Sequence, residues 1–179
     1  ETGMAGAFGL ESGFLQGDIL LNMDSEDEGE LYVGCAGGLD ADMTWDFKGA
    51  PVPDGDIALE IAIKGLKGGH SGLEIAMGRA NANKLLFRVL KEAIAQYEAR
   101  LAAVEGGNMR NAIPREATAI VTVPADGKAD LEKLAEEYES VFNEEYKAIE
   151  NKISVVVREV SLPDELIPEE IQDDFVHAV

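Results

Sequence analysis

The spacing of apolar residues along 55–160 constrains the fold more than any other feature of this sequence. From Ile57 to Ile63 they recur at every second position, which is typical of a half-buried strand. From Ala82 to Tyr97 they recur at three and four positions, which predicts an amphipathic helix. The same two spacings predict further strands at 117–123 and 153–157 and a second helix between 131 and 149. Residues 101–104 are a further predicted strand, which the glycines at 106 and 107 break.

This order of elements, β-α-β-β-α-β, predicts an α+β domain of the ferredoxin-like kind. Two helices should lie on one face of a four-stranded antiparallel sheet. The flanking regions differ in character. Residues 1–54 are rich in glycine and acid, and their short apolar runs at 18–23 and 31–34 indicate buried strands, with no helical period. We expect residues 161–179 to be an exit segment that lacks its packing partner.

Charge and composition exclude several classes of function. The chain carries 15 Lys and Arg against 35 Asp and Glu, a net charge of −20, so nucleic acid and anionic membranes are poor partners. No apolar run approaches the roughly 18 residues of a membrane span. The single cysteine rules out an intrachain disulfide and indicates a reducing, cytoplasmic compartment. Two histidines are too few for a His-rich metal cage.

Three polar segments are candidates for a functional site. His70 lies in a glycine-rich turn between a predicted strand and helix, where it is either functional or simply solvated. The neighbouring Ser71 is not a nucleophile elbow, because Leu73 stands where that motif requires glycine. Arg110 and Asn111 belong to a polar, basic island at 108–115, whose two arginines and two asparagines suit either carboxylate recognition or a plain hairpin connection.

Asp24 is the third candidate, because it ends the apolar run 18–23. Open α/β sheets bind ligands at such strand ends. A calcium-binding EF-hand loop starting at Asp24 is excluded, since Cys35 occupies the position that requires a bidentate acid.

Four motifs then occur in the order found in one family. They are Glu-Thr-Gly-Met-Ala-Gly-Ala from residue 1, Asn-Met-Asp-Ser-Glu from residue 22, Gly-Gly-His-Ser-Gly from residue 68 and Arg-Asn-Ala-Ile-Pro from residue 110. The chain resembles the di-zinc metallopeptidases that include carboxypeptidase G, succinyl-diaminopimelate desuccinylase and carnosinase. The acidic stretch 24–30 and the residues 34–38 resemble the dipeptidases of that family that cleave Xaa-His substrates. The resemblance spans essentially the whole chain.

The resemblance implies a two-metal site. Glu1 and Asp24 match family ligands of different zinc ions, with Co²⁺ or Mn²⁺ as possible substitutes. The general base would be the residue immediately before Glu1. The remaining metal ligands would lie outside this chain, so we expect a fragment of a dipeptidase that is inactive and binds zinc weakly by itself.

The resemblance also assigns roles to the other candidates. His70 matches a histidine of the lid domain that reaches the active site of the opposite subunit, and Asn111 matches a lid residue that binds the substrate carboxylate, with Arg110 beside it. Residues 1–54 would be a catalytic-domain segment, with Gly34, Gly37 and Gly38 as hinges. Residues 55–160 would be the lid and dimerisation domain, and 161–179 the exit segment of an incomplete lid. The implied partners are a dipeptide and a second copy of the chain.

Two other functions fit the same residues. One is a non-catalytic, acidic ferredoxin-like module that binds or dimerises. The other is an aminoacylase or deacylase of the same metallopeptidase family, which would share these motifs and differ in its substrate pocket.

Overall fold

The computed structural model describes residues 5–21, 23, 28–34, 37, 39 and 41–179. The chain divides into two units, Glu1–Thr44 and Trp45–Val179. The predicted strands at 18–23 and 31–34 are wrong for the described residues, which form no strand and expose their large apolar side chains. A buried strand needs neighbours that satisfy its backbone groups, and the described part of this unit forms no sheet. Its one helix, α1, is the single turn Ala5–Phe8, which no helical period predicted.

The second unit carries the predicted series of strands and helices. The elements are β1 (Asp56–Lys64), β2 (Gly69–His70), α2 (Ala82–Tyr97), β3 (Arg100–Gly106), β4 (Ala112–Ile113), β5 (Ala117–Pro124), α3 (Lys128–Glu145), β6 (Ser154–Val160) and α4 (Glu169–Ala178). The main sheet has the order β3-β5-β1-β6, and every neighbouring pair is antiparallel. This is the predicted ferredoxin-like arrangement. Strands β2 and β4 form a separate two-stranded sheet.

The core lies between the sheet and helices α2 and α3. Alternate residues of β1 enter it: Leu59, Ile61 and Ile63 are almost fully buried. Both helices pack against each other and contribute buried side chains to the same cluster, so they cover one face of the sheet. Helix α2 begins where the Asn81 side chain accepts a hydrogen bond from the Lys84 N–H at 3.3 Å, and it ends at Glu98 in the left-handed conformation.

Charged side chains connect elements at the edge of this core. Arg88 of α2 donates two hydrogen bonds to Glu145 of α3, at 2.7 and 2.8 Å, and its guanidinium lies 4.8 Å from the centre of the Phe142 ring. Nearby, burial together with the hydrogen bond to Glu92 raises the pKa of Tyr138 to about 12. The neutral phenol is therefore the form that the folded protein favours.

A bidentate pair also joins two strands on the sheet. Arg158 of β6 donates to both carboxylate oxygens of Glu60 on β1, at 2.7 and 2.8 Å. This hydrogen bonding holds the pKa of Glu60 below its ordinary value of 4.5. The charged carboxylate is thus stabilised by the fold.

The segment after β6 does not project away as an unpartnered exit segment, and that expectation is corrected. Ile167 N–H donates to the Leu101 carbonyl at 2.8 Å, and the buried Gln172 side chain accepts from the Leu101 N–H at 2.6 Å. Phe175 of α4 packs against Phe87 with ring centroids 5.1 Å apart. The segment has an amphipathic helix that finds its apolar contacts on β3 and α2.

Both outer strands of the main sheet therefore meet a side-chain acceptor. On β3 it is Gln172, and on β6 it is Glu139 of α3, whose carboxylate accepts from the Val155 N–H at 2.9 Å. Just before β6, the Asn143 amide bonds both backbone groups of Ile153, at 2.9 and 2.7 Å.

Candidate functional site

Two short strands bring the His70 and Asn111 segments together. Gly69 pairs with Ile113 and His70 with Ala112, and the Ser71 N–H donates to the Asn111 carbonyl at 2.9 Å. His70 belongs to the connection between β1 and α2, residues 65–81, which we call the His70 loop. Residues 40 positions apart in the sequence are thus neighbours by direct backbone pairing.

His70 and Asn111 line one cavity of about 770 Å³. Three cationic residues, Lys64, Lys67 and Arg115, line it too, and they outnumber its two acids. In a chain with a net charge of −20 this local excess of positive charge favours an anionic ligand group. The other lining residues are Gly68, Gly69, Glu105, Gly106, Gly107, Asn108, Met109, Ala112, Ile113, Pro114, Glu116, Ala117 and Thr118.

Arg110, which the sequence analysis paired with Asn111, is exposed and is not among these described lining residues. Arg115, five positions further on, lies at the cavity instead. Lys67 is thus a candidate binding group outside the segments that the sequence singled out, whereas Arg115 belongs to the predicted basic island. Both arginines belong to the basic island, so residue type alone does not predict which of them lines the cavity.

The imidazole of His70 is oriented by its own turn. Its Nδ1 accepts hydrogen bonds from the backbone N–H groups of Gly72 and Leu73, at 3.0 and 3.2 Å. A ring nitrogen that accepts carries no proton, so the neutral ring has its proton on Nε2. His70 therefore presents an N–H donor from the exposed end of its ring.

The backbone before His70 requires glycine. Gly69 has a φ of +150°, and a Cβ built there would lie 2.5 Å from both Arg79 Nη1 and Glu74 Oε2. Those two side chains form an ion pair at 2.5 Å, and the Glu74 carboxylate also accepts from the His70 N–H at 2.6 Å. The missing side chain at Gly69 leaves the space in which this ion pair supports His70.

The His70 loop also exposes a group of large apolar side chains. Leu73, Ile75 and Met77 are all more than half exposed. Three exposed apolar side chains within five residues of the chain suit a surface that packs against another protein surface.

The candidate metal ligands and hinges belong to residues 1–54. Glu1 and Asp24 fall outside the described residues, and so does the candidate hinge Gly38. Gly34 and Gly37 are described; both are exposed and have open space where a Cβ would stand. Within the described ranges, no three His, Cys, Asp or Glu residues are grouped closely enough to hold a metal ion. The metal and hinge roles therefore remain predictions.

Comparison with known proteins identifies the family. The family model described as a peptidase dimerisation domain, M20_dimer, matches residues 61–150, which run from β1 through both core helices to the start of the β6 connection. The chain belongs to the M20 peptidase dimerisation family. The peptidase dimerisation domain includes His70, Asn111 and all the described residues of the cavity lining.

Two relatives match nearly the whole chain. The cytosol non-specific dipeptidase of Escherichia coli (strain K12) is 42% identical over 176 residues, which cover 98% of this chain and 36% of that protein. The crystal structure of aminoacylhistidine dipeptidase from Vibrio alginolyticus is 46% identical with a TM-score of 0.85, and the match covers 99% of this chain and 36% of that one. The chain thus spans about a third of the length of these dipeptidases. Among the described residues, the peptidase dimerisation domain and its flanks contain no helix long and apolar enough to cross a membrane.

Proposed function

We propose that this chain is part of a cytoplasmic, zinc-dependent homodimeric dipeptidase that hydrolyses Xaa-His and other dipeptides. The observation that carries the proposal is the shared cavity of His70 and Asn111, with its excess of cationic side chains, in a chain closely related to two dipeptidases. In this proposal residues 1–54 belong to the catalytic domain and 55–160 form the lid.

The side chains at the cavity have complementary tasks. The Asn111 amide and the Arg115 guanidinium bind the free carboxylate of the dipeptide. His70 donates from Nε2 to the carbonyl oxygen as negative charge develops on it. A donor that is oriented in advance stabilises that charge without reorganisation during the reaction.

The remaining chemistry belongs to the metal site. Glu1 and Asp24 are proposed as ligands of two zinc ions, which when bound supply a hydroxide nucleophile and polarise the scissile carbonyl. Because His70 is in the lid, it is proposed to act in the site of the partner subunit, with the apolar cluster Leu73, Ile75 and Met77 packing against that subunit.

The first test measures hydrolysis of an Xaa-His dipeptide by the complete protein that contains this chain. We expect His70→Ala to lower kcat by roughly 10²–10³-fold and Asn111→Ala mainly to raise KM. The matched control is Ser71→Ala. It should leave kcat and KM unchanged, because Ser71 contacts Asn111 through its backbone N–H, which alanine keeps. Hydrolysis that is unaffected by His70→Ala would favour the non-catalytic module, and a preference for N-acyl amino acids over dipeptides would favour the aminoacylase.

The second test asks which subunit uses His70. His70→Ala and Asp24→Ala homodimers should each be inactive. After subunit exchange, a mixed dimer has one site with intact Asp24 and with His70 supplied by the other subunit, so about a quarter of the wild-type rate should return. If no activity returns although mixed dimers form, His70 acts within its own subunit and the shared-site proposal fails.

A further inference from the structure

A buried carboxylate holds both ends of the His70 loop. Glu150 is only 7% exposed, and its two oxygens accept from backbone groups on opposite sides of His70. Oε2 accepts from the Lys67 N–H at 2.8 Å, and Oε1 accepts from the Ala80 N–H at 3.1 Å. One side chain therefore closes the base of the loop.

Glu150 is itself firmly held. It lies in the connection between α3 and β6, where its N–H donates to the Tyr146 carbonyl at 2.9 Å, and Ile153 enters the core three residues later. The Lys67 side chain adds a hydrogen bond to the carbonyl of Ile149, the residue before Glu150. The base of the loop is thus attached to the core at a point 70–83 residues away in the sequence.

Side chains inside the loop connect the base of the loop to His70. Arg79, next to Ala80, donates to the Gly68 carbonyl and pairs with Glu74. Glu74 accepts from the His70 N–H at 2.6 Å. Every member of this chain of contacts lies between the two backbone groups that Glu150 binds, so movement at the base would displace His70.

We propose that Glu150 is a positioning residue for His70. The inference rests on the proposed function, because it takes His70 to be the group that acts on the substrate. A buried carboxylate is costly unless its oxygens are hydrogen-bonded, and here both oxygens are used to fix the loop. Glu150 is not among the described residues that line the cavity, and its side chain bonds the lining residue Lys67 through the backbone N–H, so we expect its effect on the reaction to pass through the loop.

Glu150→Gln is the informative variant, because it keeps the shape of the side chain. A carboxylate offers one acceptor oxygen to each end of the loop, whereas an amide has one acceptor oxygen and a donating NH₂. With its side chain in the place of the carboxylate, glutamine therefore presents an acceptor to the Lys67 N–H or to the Ala80 N–H, and its NH₂ faces the other. The matched control is Glu144→Gln on α3, an exposed carboxylate paired with Lys147.

The experiment measures dipeptide hydrolysis by the complete protein, together with amide hydrogen exchange. Glu150→Gln should lower kcat by roughly 10- to 100-fold with KM changed less than about threefold, because a small misplacement of a reacting group has effects of this size. Amides of residues 68–79 should exchange faster, while those of β1 and β5 keep their protection. Glu144→Gln should change neither readout.

A double variant separates positioning from general destabilisation. If Glu150 acts through His70, adding Glu150→Gln to His70→Ala should lower kcat no further. Additive losses, or a kcat of Glu150→Gln equal to the wild type while His70→Ala is impaired, would overturn the positioning role and leave the proposed function intact. A normal kcat in His70→Ala itself would overturn both.

Discussion

Replacing Phe142 by alanine tests whether one core joins the two helices and the sheet. The Phe142 ring is completely buried, lies 5.3 Å from the Tyr138 ring and carries the Arg88 guanidinium 4.8 Å from its centre. Removing such a ring typically lowers the free energy of unfolding by about 3–5 kcal/mol. Unfolding entropy of about 2.1 cal/mol/K per residue gives about 0.28 kcal/mol/K for about 135 residues, so the Tm should fall by about 11–18 °C.

The assay is thermal and urea unfolding of the 179-residue chain, followed by far-ultraviolet circular dichroism. Val141→Ala is the matched control, because Val141 is the adjacent helix residue and is 43% exposed. Its unfolding free energy should change by less than about 0.5 kcal/mol. A loss below about 1 kcal/mol for Phe142→Ala would refute the reasoning, since it would mean that the ring contributes little to a core that surrounds it.

Three further predictions concern charge, backbone and tautomer. Pairing with Arg158 lowers the pKa of Glu60, so the pair stabilises the fold above about pH 4.5, and this stabilisation is lost as the pH falls through the lower, folded pKa. Arg158→Ala should therefore lower the free energy of unfolding in urea more at pH 7 than at pH 3. Equal losses of unfolding free energy at the two pH values would contradict this. Gly69→Ala should destabilise the His70 loop by about 1–3 kcal/mol, measured by hydrogen exchange, because alanine is strained at its φ of +150°. Gly127→Ala, with a φ of −76° and only ordinary contacts, should have little effect on exchange. In ¹⁵N NMR spectra at a pH where the ring is neutral, His70 should show a protonated Nε2 and an unprotonated Nδ1, and the opposite tautomer would disprove the turn geometry.

The periodic elements could be predicted from the sequence because periodicity reports local burial. Helix α2 begins and ends at the predicted residues Ala82 and Tyr97. Three long strands fall where alternation indicated them, and β3 covers the strand predicted at 101–104. The second predicted helix ends at Glu145, four residues before Ile149, since the chain turns there to place Glu150. The family resemblance, which rested on four ordered motifs, is confirmed by the family match.

The contacts that shape the candidate site could not be predicted in this way. Strands β2 and β4 have two residues each, too few to show a period. Glu150 and Gln172 are buried polar residues whose partners lie 70 or more positions away, so no local pattern distinguishes them from solvated side chains. The described residues of 18–23 and 31–34 do not form the predicted strands. An apolar run indicates a tendency to be buried, but it does not supply the neighbouring strands that a sheet needs.

The acceptors at the two outer strands also bear on self-association. An open strand edge acts as a template on which another chain can add, which favours aggregation and amyloid-like growth. Here the Leu101 N–H on one side and the Val155 N–H on the other are already occupied by side chains. An added strand would have to displace the Gln172 or Glu139 side chain before it could pair with these backbone groups. The two side chains therefore hinder the addition of a further strand near the start of β3 and of β6.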